Sequence, residues 1–145
     1  MTIKGEYVPS PTEWVRKQVE AIEAAGDTRA AQVMDRDVVM LTMLGVSGKV
    51  RKVPLMRVEH DGSYAAVASK GGAPENPKWY ANVKKNPVLD LMDGTETFTV
   101  KARELRGAER EEWWERCVAA YPPYAEYQTK TDRQIPVLIL EPITY

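Results

Sequence analysis

The sequence predicts an α+β domain built on a mainly antiparallel sheet of six strands, closed or split as a barrel. Three observations lead there. Short apolar, β-branched runs recur between turn residues along much of the chain. Two of the gaps between such runs are Asp61-Gly62 and Asp93-Gly94, a strong signal for tight hairpins between antiparallel strands. Helical stretches are interspersed among the runs without the strict strand-helix alternation of a parallel sheet. Curling the sheet is then the economical way to hide its edges.

The elements follow in order. Ser10-Pro-Thr-Glu13 has the form of a capping box with proline at the first helical position, and Val15, Val19 and Ile22 repeat at helical spacing until Gly26. This predicts an amphipathic helix over 11–25, after ten residues expected to be mobile. Packing on the sheet is the plain reading of its apolar face, and peripheral membrane or partner contact is the alternative. Val38–Met43 reads as a buried strand, Gly45–Gly48 as a turn and Val50–Glu59 as one long strand. Pro54 cannot donate to a ladder, so that strand should lie at an edge or carry a bulge. Asp61-Gly62 leads into Tyr64–Ala68. Asn76-Pro77 opens a short helix over 77–84, and Asn86-Pro87 ends it before the strand Val88–Met92. Asp93-Gly94 turns that strand back as Thr95–Glu104. Gly107 precedes a charged helix over 108–120, in which Trp113, Trp114 and Cys117 read as packing. A last short helix follows Tyr121-Pro-Pro, and Pro136–Leu140 is the final strand. One domain covers 1–145, with no internal repeat, linker or low-complexity tract.

Composition excludes several classes. Twenty Lys and Arg against twenty-one Asp and Glu give a formal charge of −1, which argues against a nucleic-acid binder that neutralises phosphates, so any anion site must be local. No apolar run approaches the roughly 20 residues needed to cross a bilayer, and the polar start lacks the apolar core of a signal peptide, so a cytoplasmic protein is expected. Cys117 is alone, which precludes an internal disulfide. With His60 as the one histidine, no Cys/His zinc site and no metal is expected. His60 lies in a Glu-His-Asp-Gly turn and reads as a solvent-exposed loop residue.

The most informative stretch runs from Val67 to Asn82. A β-like run gives way to Ala68, Ser69, Lys70, Gly71 and Gly72, then to an Asn-Pro helix start carrying Lys78, Trp79, Tyr80 and Asn82. Glycines let the backbone approach a bound group, helix-start N–H groups favour negative charge, and an aromatic covers a ring, so the junction suits an anionic, planar ligand.

These segments resemble the deazaflavin-dependent nitroreductase family, actinobacterial split-barrel enzymes that use coenzyme F420. The resemblance is carried by Ser69-Lys70-Gly71-Gly72, by Asn76-Pro77-Lys78-Trp79-Tyr80-Ala81-Asn82, by Gly45 to Met56, by Tyr121-Pro-Pro-Tyr-Ala-Glu-Tyr-Gln128 and by Ile135 to Leu140. It spans about residues 10–142. It implies that Lys49, Arg51 and Lys52 meet the phosphate and oligoglutamate tail of F420. Strand alternation sends Arg51 and Lys52 to opposite faces, which favours Lys49 and Arg51. The irregular strand around Val53, Pro54 and Leu55 would run beside the deazaflavin ring. Ser69 and Lys70 would lie closest to the redox centre, with Trp79 favoured over Tyr80 for the ligand side of the short helix. Ser69 also reads as a strand-end cap.

Tyr121, Tyr124 and Tyr127 are three apart and sweep an arc of about 120° if helical, enough to line one wall. The resemblance makes them a substrate wall, with Tyr124 nearest the reacting atoms and Tyr124 or Tyr127 as proton donor in competition with solvent. Aromatic packing against the barrel is the alternative for each. The activity implied is hydride transfer from reduced F420 to an electron-poor small molecule: a quinone or enone, with nitroaromatics as adventitious substrates. An FMN-dependent split-barrel enzyme and a non-catalytic F420 carrier are the rival readings. Oligomeric state stays open.

Overall fold

A computed structural model describes residues 3–143. Its elements are α1 (Glu13–Ala25), β1 (Val38–Leu44), β2 (Val50–Met56), β3 (Glu59–His60), β4 (Ser63–Val67), α2 (Lys78–Lys85), β5 (Val88–Asp93), β6 (Glu96–Glu104), α3 (Gly107–Ala120), α4 (Pro123–Thr129) and β7 (Val137–Pro142). The strands form one sheet in the order β2-β1-β5-β6-β7-β4-β3. Every pair in it is antiparallel.

That order explains the split. The two edge strands, β2 and β3, are neighbours in sequence, with only Arg57 and Val58 between them. The chain therefore ties the edges together at one point, where Val58 O accepts the Ala65 N–H at 2.9 Å. Away from that point no ladder joins β2 to β4, and the edges part. The expected strand over 50–59 is corrected here. It changes partner at Arg57, whose N–H bonds Asp37 O at 3.1 Å, so one strand becomes two and the sheet has seven strands instead of six. Pro54 lies where its chemistry requires, on edge strand β2 opposite Met40.

Alternation sorts the strands into layers. Val39, Leu41 and Met43 of β1 enter the barrel core with Leu89, Leu91, Val100, Leu138 and Leu140. Val38 and Met40 face outward beneath Val19 and Ile22 of α1. Both faces of β1 are thus buried, which accounts for its apolar run, interrupted only by the buried Thr42. Complete burial of Ile22 contributes about 1.5–3 kcal/mol on its own. On the opposite side α3 and α4 place Trp113, Cys117, Tyr121 and Tyr124 against Ala65, Val67, Val137 and Ile139.

Helix α1 begins later than the capping box predicted. Thr12 is its N-cap with no side-chain cap bond, and Ser10 Oγ instead accepts the Thr12 N–H at 3.1 Å, leaving Pro11 outside the helix. Before it, the Val50 N–H bonds Glu6 O at 2.8 Å and the Val8 N–H bonds Val50 O at 3.0 Å. These bonds fasten part of the segment expected to be mobile, while residues 1 and 2 lie outside the described residues. Both Asp-Gly turns are present, with Asp61 at φ 51°, Gly62 at φ 82° and Gly94 at φ 62°. Among the described residues no helix is long and apolar enough to cross a membrane.

Candidate functional site

Because neighbouring strands run antiparallel, the ends of β1, β4 and β6 and the starts of β2, β5 and β7 gather at one end of the barrel. Helix α2 covers it. Asn82 Oδ1 accepts the Val46 N–H at 3.0 Å, Asn86 Nδ2 donates to Leu44 O at 3.3 Å, and Lys85 Nζ donates to Val46 O at 3.1 Å. The Tyr80 hydroxyl donates to Glu104 at the end of β6, and Lys84 pairs with the same carboxylate at 3.1 Å. Burial, then that bond, pushes the Tyr80 hydroxyl up to about 12. Burial opposes the charge on Glu104, but the bonds from Tyr80 and Lys84 outweigh it and hold the carboxyl below its usual range.

Most of the residues singled out in the sequence meet at this end. Arg51 pairs with Met43 across the ladder and shares its core-side face with Val53 and Leu55. It is half-buried, beside Gly45, where an added Cβ would lie 3.4 Å from Arg51 Cγ and 3.6 Å from Asn82 Oδ1. Arg51 and Lys78 make no side-chain hydrogen bond or ion pair among the described residues. Lys49 pairs with Glu6, and Lys70 with Glu75 at 2.7 Å, which lowers the Glu75 carboxyl. Trp79 and Tyr80 both pack on the barrel core, so the predicted division of one inward and one ligand-facing ring is not seen. Asn82 is committed to the β1–β2 turn. Lys52 and Pro54 point to the outer face, where Lys52 Nζ lies 2.6 Å from Glu23 and 4.8 Å from the Tyr7 ring centroid. Lys52 is thereby separated from Arg51.

Opposite the free edge of β2 stands the loop after β4. Ser69 is buried, and the next three residues are all left-handed: Lys70 at φ 47°, Gly71 at φ 64° and Gly72 at φ 86°. A lysine in that region costs about 1–2 kcal/mol, so the surrounding structure must impose the turn. Gly72 is required for a second reason: a Cβ there would sit 2.7 Å from Tyr127 O of α4. Arg133, which the sequence reading missed, grips the loop through Ala68 O, Ser69 O, Ala73 O and Asn76 Oδ1. Its position in a polar stretch before the last strand gives no local signal.

The three tyrosines lie close together but in unequal settings. Their rings contact one another, with centroids 5.0 to 6.3 Å apart. Tyr124 is 5% exposed and packs on Trp114, and its hydroxyl is pushed far up, chiefly by burial. Tyr127 is half-buried, and its bond with the Tyr121 hydroxyl at 3.3 Å, then burial, raises it to about 12. The arrangement places Tyr124 in the α3–α4 core and leaves Tyr127 the more accessible hydroxyl. Two surface cavities, of about 400 Å³ by Arg110, Trp114 and Arg133 and about 230 Å³ by Lys52, Thr42 and Asp90, lie outside the split.

Comparison with known proteins identifies the family. The family model described as F420H(2)-dependent quinone reductase matches residues 14–142. Rv3178 of Mycobacterium tuberculosis, named as a candidate F420H(2)-dependent quinone reductase, is 38% identical over 96 residues, covering 66% of this chain and 81% of the relative. Three other mycobacterial proteins of that name or class match at 36% identity over 81 residues, and the chain spans about half their length, 54%. A solved structure described as an F420-H2 dependent reductase, FDR-A, is 60% identical with a TM-score of 0.70, covering 76% of this chain and 98% of that one. Another, described as a domain-swapped dimer, is 58% identical with a TM-score of 0.72, covering 91% and 100%. The chain belongs to the F420H(2)-dependent quinone reductase family.

Proposed function

We propose that this chain binds coenzyme F420 in the slot between β2 and the 68–73 loop and transfers a hydride from the reduced cofactor to a quinone. The donor set fits the group. In a chain of net charge −1, Lys49, Arg51, Lys70, Lys78, Lys84 and Lys85 gather at the α2 end, suited to a phosphate and an oligoglutamate tail. The observation that carries the reading is Arg51, a half-buried guanidinium that the described fold leaves unpaired at the mouth of the slot.

When bound, reduced F420 supplies the hydride, so the protein's task is positioning and electrostatics. Arg51, Lys49 and Lys78 hold the anionic tail. The backbone of Val53 to Leu55, on the free edge of β2, and the Ala68–Gly71 turn would flank the ring. Ser69 and Lys70 orient the reacting face. Delivery of a hydride to a quinone leaves one proton to be added at oxygen. Tyr127, neutral far above physiological pH, donates it in competition with solvent. Tyr124 supports Tyr127 by packing. Val19 and Ile22 are consumed by contact with the sheet, which favours a structural α1 over a lipid-docked one.

Titration with oxidised F420 and, separately, FMN, followed by tryptophan fluorescence, tests the cofactor. Turnover of a quinone, an enone and a nitroaromatic with reduced F420 tests the acceptor. Micromolar F420 binding with quinone-dependent oxidation is expected. Binding without turnover would instead make the chain a carrier, and tight FMN binding would overturn the cofactor assignment.

A further inference from the structure

We infer that Arg133 is a positioning residue for the redox site: it fixes the strained Ser69–Gly72 turn in the geometry that the cofactor meets. This rests on the F420 reading for its consequence and on the structure for its cause. Arg133 Nη1 donates to Ala68 O at 3.2 Å and to Asn76 Oδ1 at 2.8 Å, Nη2 donates to Ser69 O at 2.9 Å, and Nε donates to Ala73 O at 3.0 Å. The acceptors bracket the left-handed run at Lys70, Gly71 and Gly72 on both sides. One rigid fork thus fixes the entry and exit of a turn that a lysine resists. A lysine in place of Arg133 has a single nitrogen and cannot reach three separated carbonyls at once.

The anchor of the fork is itself fixed. Gln128 of α4 donates through Nε2 to Arg133 O at 2.8 Å and accepts the Ile135 N–H at 2.9 Å. The turn closes the circuit by seating Gly72 on Tyr127 O. Arg133 makes no ion pair within 4.0 Å among the described residues, and all four partners are uncharged. Glu75, which pairs with Lys70, also feels the field of Arg133, so two cations share one nearby carboxylate beside Ser69, a balance that suits an anionic deazaflavin. Loop, α4 and Arg133 form one unit: the Arg133 side chain holds the Ser69 turn, and its backbone carbonyl is held by Gln128 of the helix that carries Tyr124 and Tyr127.

Arg133→Gln and Arg133→Lys test this with two independent readouts. Limited trypsin digestion with mass spectrometry reports cleavage after Lys70, which senses the turn without any cofactor. Fluorescence titration gives F420 affinity, and steady-state kinetics separate kcat from the quinone KM. Expected for Arg133→Gln is faster cleavage at Lys70 and F420 binding about 10- to 100-fold weaker, with Arg133→Lys between it and the wild type. Far-UV circular dichroism checks that both variants remain folded. Unchanged Lys70 cleavage overturns the positioning role, and so does faster cleavage with unaltered F420 affinity and kcat. Failure of the wild type to bind F420 sinks the cofactor reading instead, while the cleavage comparison still decides whether Arg133 holds the turn.

Discussion

The two ends of the barrel are made by the same strands yet treat polar groups in opposite ways. At the end away from α2, Asp93 accepts Arg57 Nε at 2.9 and 3.1 Å and the Tyr64 hydroxyl at 2.5 Å, and Arg57 lies 5.8 Å over the Tyr64 ring. Burial, then the bond to Asp93, drives the Tyr64 hydroxyl well above its ordinary value. Arg57, Asp93 and the Tyr64 hydroxyl are all partnered there, and the cluster locks the point where β2 passes into β3. At the α2 end Arg51 and Lys78 lack such partners, and Lys70 is held in a strained conformation. Saturation marks the end that closes the sheet. Surplus charge and strain mark the end with something left to bind.

Glycine substitutions probe the strained end most severely. Gly72→Val puts a branched side chain where even a Cβ lies 2.7 Å from a backbone oxygen, at φ 86°. The expected loss is about 4 kcal/mol of stability, read by urea denaturation. Gly71→Ala, at φ 64° with no atom within 4 Å of the new Cβ, should cost only about 1 kcal/mol. Equal losses would show that the Gly72–Tyr127 contact is not what shapes the loop.

Asp93→Ala and Arg51→Gln should separate the ends by kind of effect. Removing Asp93 strands Arg57 and the Tyr64 hydroxyl and should lower stability by about 3 kcal/mol, with F420 affinity intact. Arg51→Gln should do the reverse: stability within about 0.5 kcal/mol, because no described bond is lost, and F420 binding about 10- to 30-fold weaker. The Arg51 effect should also shrink as salt rises. Loss of F420 affinity in the Asp93 variant, or of stability in the Arg51 variant, would erase the distinction between the ends.

Much of this was legible in the chain. The Asp-Gly turns, the edge proline and the helices at 78–85 and 107–120 are local signals, and local chemistry decides them. The break of the strand over 50–59 was not legible, because a change of ladder partner depends on Asp37, Asp93 and Tyr64, which are far away in sequence. For the site, residue types singled out Arg51, Ser69, Lys70 and Trp79, whose elements the topology brings to the α2 end. They could not give the burial of Tyr124 or the pairing of Lys52 with Glu23, since both depend on how α1 and the α3–α4 pair settle on opposite outer faces. Arg133 escaped for the same reason: its four acceptors lie 57 to 65 residues away.

The smallest effect concerns pH. Tyr80 and Tyr127 each titrate near 12 in the folded chain against an ordinary 10.0, so folding favours the neutral phenol. Their contribution to stability is complete below about pH 10 and disappears as pH rises toward about 12. Glu104 has the opposite sign. Its folded value lies below 4.5, so its contribution is present above that pH and fades as pH falls through the folded value. Urea midpoints measured near pH 9 and near pH 11 should therefore drop in the wild type and drop less in Tyr80→Phe, with Tyr127→Phe behaving alike. The tyrosines part company in function. Tyr80→Phe loosens α2 from Glu104 and should weaken F420 binding, whereas Tyr127→Phe should lower kcat and leave that affinity alone. An unchanged kcat in Tyr127→Phe would assign the proton to solvent and reduce α4 to a wall that only shapes the slot.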